Sequence, residues 1–187
     1  MSSYCSIDKA LATLTAFDSK LTVDALIVRA ASKAFSKVFK LNNLQVARVS
    51  GQKVSIIKGS EKLSTSQILS NEQKLAGGSF AADVPASQLE IHQVNHSVEA
   101  LPIANPRSMM TLHFTQPEKE VVIDSDELHF NIETIGDKPV SYDVKLKTSQ
   151  RVKLSISFDS SKVDEVTAVK FLSKLQTFLD DPDTMLL

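Results

Sequence analysis

An α+β fold is what this sequence predicts, with an N-terminal helical hairpin, a mainly antiparallel β-sheet through the middle and C-terminal half, and one C-terminal helix packed on the sheet. Apolar residues recur with a 3.6-residue period near both ends, and with a period of two across most of the chain between them. Asn, Gly and Pro clusters separate the two patterns. At 187 residues and 42% hydrophobic content the chain can bury a sizeable core. We read it as one structural unit, with a helical hairpin over 1–42 and a β-rich part over 43–187.

The first helix runs over about 7–17 with Leu11 and Leu14 on its apolar side, and Asp18, Ser19 and Lys20 break it from the second. In the second, Val23, Leu26, Ile27, Ala30, Ala34, Phe35, Val38 and Phe39 follow the i, i+3, i+4, i+7 rule, and Thr22 is the expected N-cap. Residues 44–51 and 52–59 read as a β-hairpin punctuated by Gly51 and Gly59. A short helix over 66–75 leads into a loop holding Gly77, Gly78 and Pro85. Residues 86–101 fit either helix or strand: Leu89, Val94, Val98 and Leu101 suit a helix, whereas Leu89 and Ile91 begin an alternation.

Four β-runs follow, over 110–114, 128–132, 140–146 and 152–158, and every apolar member sits at an even number. One face therefore points inward and the odd positions outward, which reads as an antiparallel meander. Opposing Leu146 to Val152 would require an odd turn such as 148–150. The last helix, over about 162–180, carries Ala168, Phe171, Leu172, Leu175, Phe178 and Leu179, with Ser161 and Asp164 spaced as a capping box and Pro182 as a stop.

Charge is distributed unevenly. Between Asp24 and Glu61 there is no acid, while Arg29, Lys33, Lys37, Lys40, Arg48, Lys53 and Lys58 make a local +7; a whole-chain charge of −1 then leaves −8 elsewhere. Arg29, Lys33, Lys37 and Lys40 share one side of the second helix, a candidate surface for an anion or an acidic partner. The C-terminal run Asp180, Asp181, Asp183, Leu186 and Leu187 is a candidate partner-docking tail.

Chemical motifs are sparse. The single cysteine, Cys5, allows no internal disulfide, and no stretch is long and apolar enough for a transmembrane segment. There is no phosphate-binding glycine loop, no dinucleotide fingerprint and no nucleophile elbow, so no cofactor is expected. His92 and His96 would share a helical face, but Gln93 stands where a metalloprotease places its glutamate. His113 and His129 fall at outward β positions, and Asp124, Asp126 and Glu127 form an acidic turn without the ligand set of a calcium loop.

These exclusions leave a non-enzymatic structural or assembly subunit making protein–protein contacts, as in a virus or phage particle, without catalytic or metal-binding residues. Its expected partners are copies of itself or other assembly proteins, and its expected location is cytoplasmic or within such a particle. The competing reading is a nucleic-acid-binding or processivity factor that sets the Arg29 to Lys40 stripe on phosphates.

Overall fold

The computed structural model describes residues 1–17, 22–50, 53–75, 87–94, 106–123 and 146–185. In chain order these form β1 (Ser2–Ser6), α1 (Asp8–Phe17), α2 (Val23–Phe39), β2 (Gln45–Ser50), β3 (Lys53–Lys58), α3 (Thr65–Leu75), β4 (Ser87–Val94), β5 (Ser108–Thr115), β6 (Glu118–Ile123), β7 (Leu146–Phe158) and α4 (Glu165–Asp180), with a last 3-10 turn at Pro182–Met185.

Local chemistry sets the helix ends. Thr22 Oγ1 accepts from the Ala25 amide at 3.2 Å, satisfying one of the free donors of the first turn of α2. That helix stops at Lys40, whose φ of 54° turns the chain left-handed while its amide donates to the Ser36 carbonyl. At α4 the cap is Asp164, accepting from the Thr167 amide at 2.9 Å. Ser161 instead donates to Asp159, so the expected Ser161 capping box is not formed and the helix begins three residues later than expected, at Glu165.

The sheet has the order β1-β7-β5-β4-β2-β3, with β6 paired to the first half of β7. Most neighbours are antiparallel, including the β2–β3 hairpin, but β4 runs parallel to both β2 and β5. The expected meander is thus corrected to a mixed sheet. Alternation reports which face a residue occupies and carries no information on strand direction. The expected turn at 148–150 is also corrected: β7 is one continuous strand of 13 residues. Its early half pairs with β6, Leu146 opposite Ile123, and its later half with β1, Val152 opposite Cys5. The segment 86–101, open between helix and strand, begins as strand β4. The runs over 128–132 and 140–145 lie outside the described residues.

The parity reading holds over 110–114 and 152–158 but fails at Leu146, an even position that is 66% exposed where β7 pairs with β6. Met110, Leu112, Phe114, Val152, Leu154 and Ile156 are all buried in one core cluster with α2 and α4. There Phe35 stacks on Phe39 at 4.2 Å between centroids and meets the edge of Phe171 at 5.7 Å. Helices cover this face of the sheet, and the odd positions of β5 and β7 make up the other.

Candidate functional site

On that second face the sheet is polar yet largely closed to solvent. Thr111 is opposite Glu90 on one side and Ser157 on the other, and His113 is opposite His92 and Ser155. Glu90 and Thr111 are buried. Glu90 Oε1 lies 2.5 Å from His92 Nε2, and Ser108 Oγ donates to Glu90 Oε2 at 3.4 Å. A carboxylate accepts, so it places the ring proton of a neutral His92 on Nε2 and leaves Nδ1 with its lone pair. The His92 side chain is 27% exposed, above a Glu90 side chain that is 4% exposed.

His113 stacks on His92, centroids 4.8 Å apart and planes 15° from parallel. Burial, then the neighbouring His92 ring, push His113 down to about 4 against the opposing pull of Glu90, so it is neutral at pH 7. Its Nε2 and the Ser157 hydroxyl are buried without a hydrogen-bond partner. Such atoms cost free energy in a buried setting. Further along this face a cavity of about 280 Å³ is lined by Tyr4, Thr115, Glu118, Lys119, Arg151 and Lys153, among others.

A second polar group lies beside the N-terminal end of α2. Arg48 is buried, 3.2 Å from both Asp24 Oδ2 and Gln93 Oε1, with its guanidinium 4.9 Å from the Phe114 ring centre. Desolvation raises Asp24 despite the opposing pull of Arg48 and Gln93.

The residues singled out in the sequence are placed as follows. Arg29 is half-buried and donates to Thr65 Oγ1 at 3.2 Å. Lys33 donates to the Met185 carbonyl, and burial followed by repulsion from Arg29 and Lys37 pushes its ammonium below the ordinary range. Lys37 is exposed, its ammonium 5.3 Å from the Phe178 ring centre, and Lys40 is exposed at the helix end. Two of the four basic side chains, Arg29 and Lys33, therefore donate hydrogen bonds within the fold, and Lys37 lies against an aromatic ring.

In the C-terminal run, Asp180, Asp181 and Asp183 are exposed, while Pro182 and Met185 are buried. Leu186 and Leu187 lie outside the described residues. Cys5 donates to Asp180 at 3.3 Å, and burial together with that carboxylate pushes the thiol up to about 12, so it is no reactive thiolate.

The His92 and His96 pairing on a helix falls because β4 is extended; His96, His129 and the acidic turn at Asp124, Asp126 and Glu127 lie outside the described residues. The period-two spacing of Glu90 and His92 was the readable sign that they share a face, and the pairing of β4 with β5 is what adds His113. Among the described residues no three His, Cys, Asp or Glu side chains are grouped to hold a metal ion. No described helix is long and apolar enough to cross a membrane.

Residues 43–187 match the family described as 2-oxoacid dehydrogenases acyltransferase (catalytic domain). The chain belongs to this family. Membership in this acyltransferase family overturns the expectation of a non-enzymatic subunit, and with it the virus or phage setting, because the family is one of catalytic domains. None of the curated proteins matches the sequence.

Solved structures agree on the acyltransferase fold. Azotobacter vinelandii dihydrolipoamide acetyltransferase superposes with a TM-score of 0.72 at 16% identity, over 100% of this chain and 83% of that one. The cubic core of the pyruvate dehydrogenase multienzyme complex gives 0.70 at 15%, over 100% and 83%. A probable dihydrolipoamide acetyltransferase from Listeria monocytogenes gives 0.69 at 19%, over 96% and 82%. Neither the family nor these structures support the alternative reading of a nucleic-acid partner.

In the Azotobacter enzyme a serine, a histidine and an asparagine four residues after that histidine have been studied for their role in the catalytic mechanism. The spacing does not occur in this acyltransferase-family chain: its four histidines are followed at that distance by His96, Ala100, Pro117 and Glu133. The sequence reading missed the family because the fold signal is spread over a whole mixed sheet and no short motif carries it.

Proposed function

We propose that this chain is a homo-oligomeric core subunit of a 2-oxoacid dehydrogenase complex, in which acyl groups pass between a thioester and dihydrolipoamide. The observation that carries the reading is the family match over residues 43–187. Superposition on the core of a pyruvate dehydrogenase complex along the full length of this chain supports the assembly part. Self-association was also the sequence expectation, there on the grounds of charge. A cytoplasmic location belongs to the proposal.

Two measurements test it. Light scattering on the purified chain across micromolar concentrations should give a discrete multiple of the 20.5 kDa protomer. A strict monomer at the highest concentration would overturn the assembly. Thioester formation from an acetyl thioester and dihydrolipoamide should proceed faster with the protein than without it, and equal rates would overturn the chemistry.

A further inference from the structure

Along β7 the pairing with β5 and β6 changes register once. Phe114 is opposite Leu154 and Glu118 is opposite Arg151, so residues 115–117 face only 152–153. Three residues against two make a β-bulge, which bends the strand and opens the ladder. Pro117 has no amide hydrogen to give there, and the Lys153 amide donates to Thr115 Oγ1 at 3.0 Å. The extra residue also reverses parity. Odd positions of β5 lie on the second face of the sheet, but on β6 it is Glu118 and Glu120, opposite Arg151 and Ser149, that join it. Tyr4, opposite Lys153, lies on the same face. The bulge thus gathers Tyr4, Glu118, Glu120, Arg151 and Lys153 around the cavity of about 280 Å³, which Lys119 also lines.

The charges of this cavity are not balanced inside the fold. Arg151 Nη1 is 3.0 Å from Glu120 Oε2, with side chains 37% and 53% exposed, and that contact leaves further guanidinium N–H groups for a second acceptor. The Lys153 ammonium is 5.8 Å from the Tyr4 ring centre and, like that of Lys119, has no carboxylate partner among the described residues. Among the described lining residues, Glu118 is the carboxylate left to oppose them.

We propose that this cleft binds a small oxyanion, a carboxylate or a phosphate, between Arg151 and Lys153. Side chains two apart on one strand project side by side from backbone positions roughly 6.5 Å apart, a span that one oxyanion bridges. The guanidinium fork supplies paired donors and the lysine adds a point charge. Small-molecule sites usually enclose roughly 300–1,000 Å³, so a cavity of about 280 Å³ admits only a small occupant. Dihydrolipoamide is uncharged and makes no use of these cations, so the inference goes beyond the proposed transfer.

Calorimetric titration of the full chain with malonate and with inorganic phosphate, at constant ionic strength, tests the site against Lys153→Gln, Glu118→Gln and Lys170→Gln, with folding checked by circular dichroism. Lys170 is an exposed residue of α4, so its variant makes the same change of charge outside the cleft. Wild type should bind one equivalent of anion per protomer. Malonate alone would assign the site to carboxylates, and phosphate alone to phosphate esters. Lys153→Gln should weaken binding about five-fold, the ceiling for a partly exposed charge pair, and Glu118→Gln should tighten it by up to the same factor. Lys170→Gln should leave it unchanged. No saturable binding of either anion by folded wild type overturns the site. Equal weakening by Lys170→Gln and Lys153→Gln overturns its location, because attraction would then follow net charge alone. Weaker binding by Glu118→Gln overturns the ligand class, because a cationic group would then sit on that carboxylate. Binding is read without acyl transfer, so the outcome holds whether or not transfer is observed.

Discussion

Phe35→Ala removes the side chain at the centre of the contact between α2 and α4. Phe35 has no exposed surface, stacks on Phe39 at 4.2 Å and meets the edge of Phe171 at 5.7 Å. Truncating a buried phenylalanine costs about 3–5 kcal/mol, through lost transfer free energy and the cavity left behind. Aromatic pairs contribute about 0.5–1.5 kcal/mol each beyond burial. With two such pairs lost, the upper half of that range is expected. Urea unfolding followed by far-ultraviolet circular dichroism suits a chain without tryptophan. At fixed protein concentration the midpoint should fall with little change in slope. A loss below about 1 kcal/mol would refute the reasoning, since it would mean that the α2–α4 contact collapses onto the gap or contributes little to the fold.

Two further outcomes are expected. His113, whose pKa in the fold is about 4 against an ordinary 6.5, binds protons more readily when unfolded. Its contribution to stability is complete above pH 6.5 and declines as pH falls through the window towards 4. Replacing it by Gln should flatten the acid limb of the stability curve across that window, and an unchanged limb would contradict the assignment. Lys37 and Lys40 are the exposed members of the basic stripe, and we propose that they draw the acidic part of another copy. Changing both to Gln should weaken self-association at low salt, with the difference fading near 0.5 M, where the Debye length is below about 5 Å. Equal light-scattering profiles at low salt would count against it. Arg29 and Lys33 are left intact because both are half-buried and donate hydrogen bonds inside the fold.

Periodicity alone located α1, α2, α3, the β2–β3 hairpin and α4 to within a few residues, and parity alone sorted the core side of β5 and of the later half of β7. Those features come from local chemistry: the stripe through Phe35, the Thr22 cap and the Gly59 turn act over one or two helical turns or a single strand. Strand direction, the inclusion of β1 and β6, and the continuity of β7 through 148–150 depend on partners far away in sequence. A strand's alternation is the same whichever way its neighbour runs. The candidate site follows the same rule. Glu90 and His92 were legible as neighbours on one face only once residues 87–94 were known to be extended. Their stacking partner His113 arrives by a parallel pairing that no local pattern encodes, and the partners of Arg29 and Lys33 come from α3 and the final turn. What each residue prefers for itself was written in the chain, and which residues meet was decided by the packing of the whole sheet against its helices.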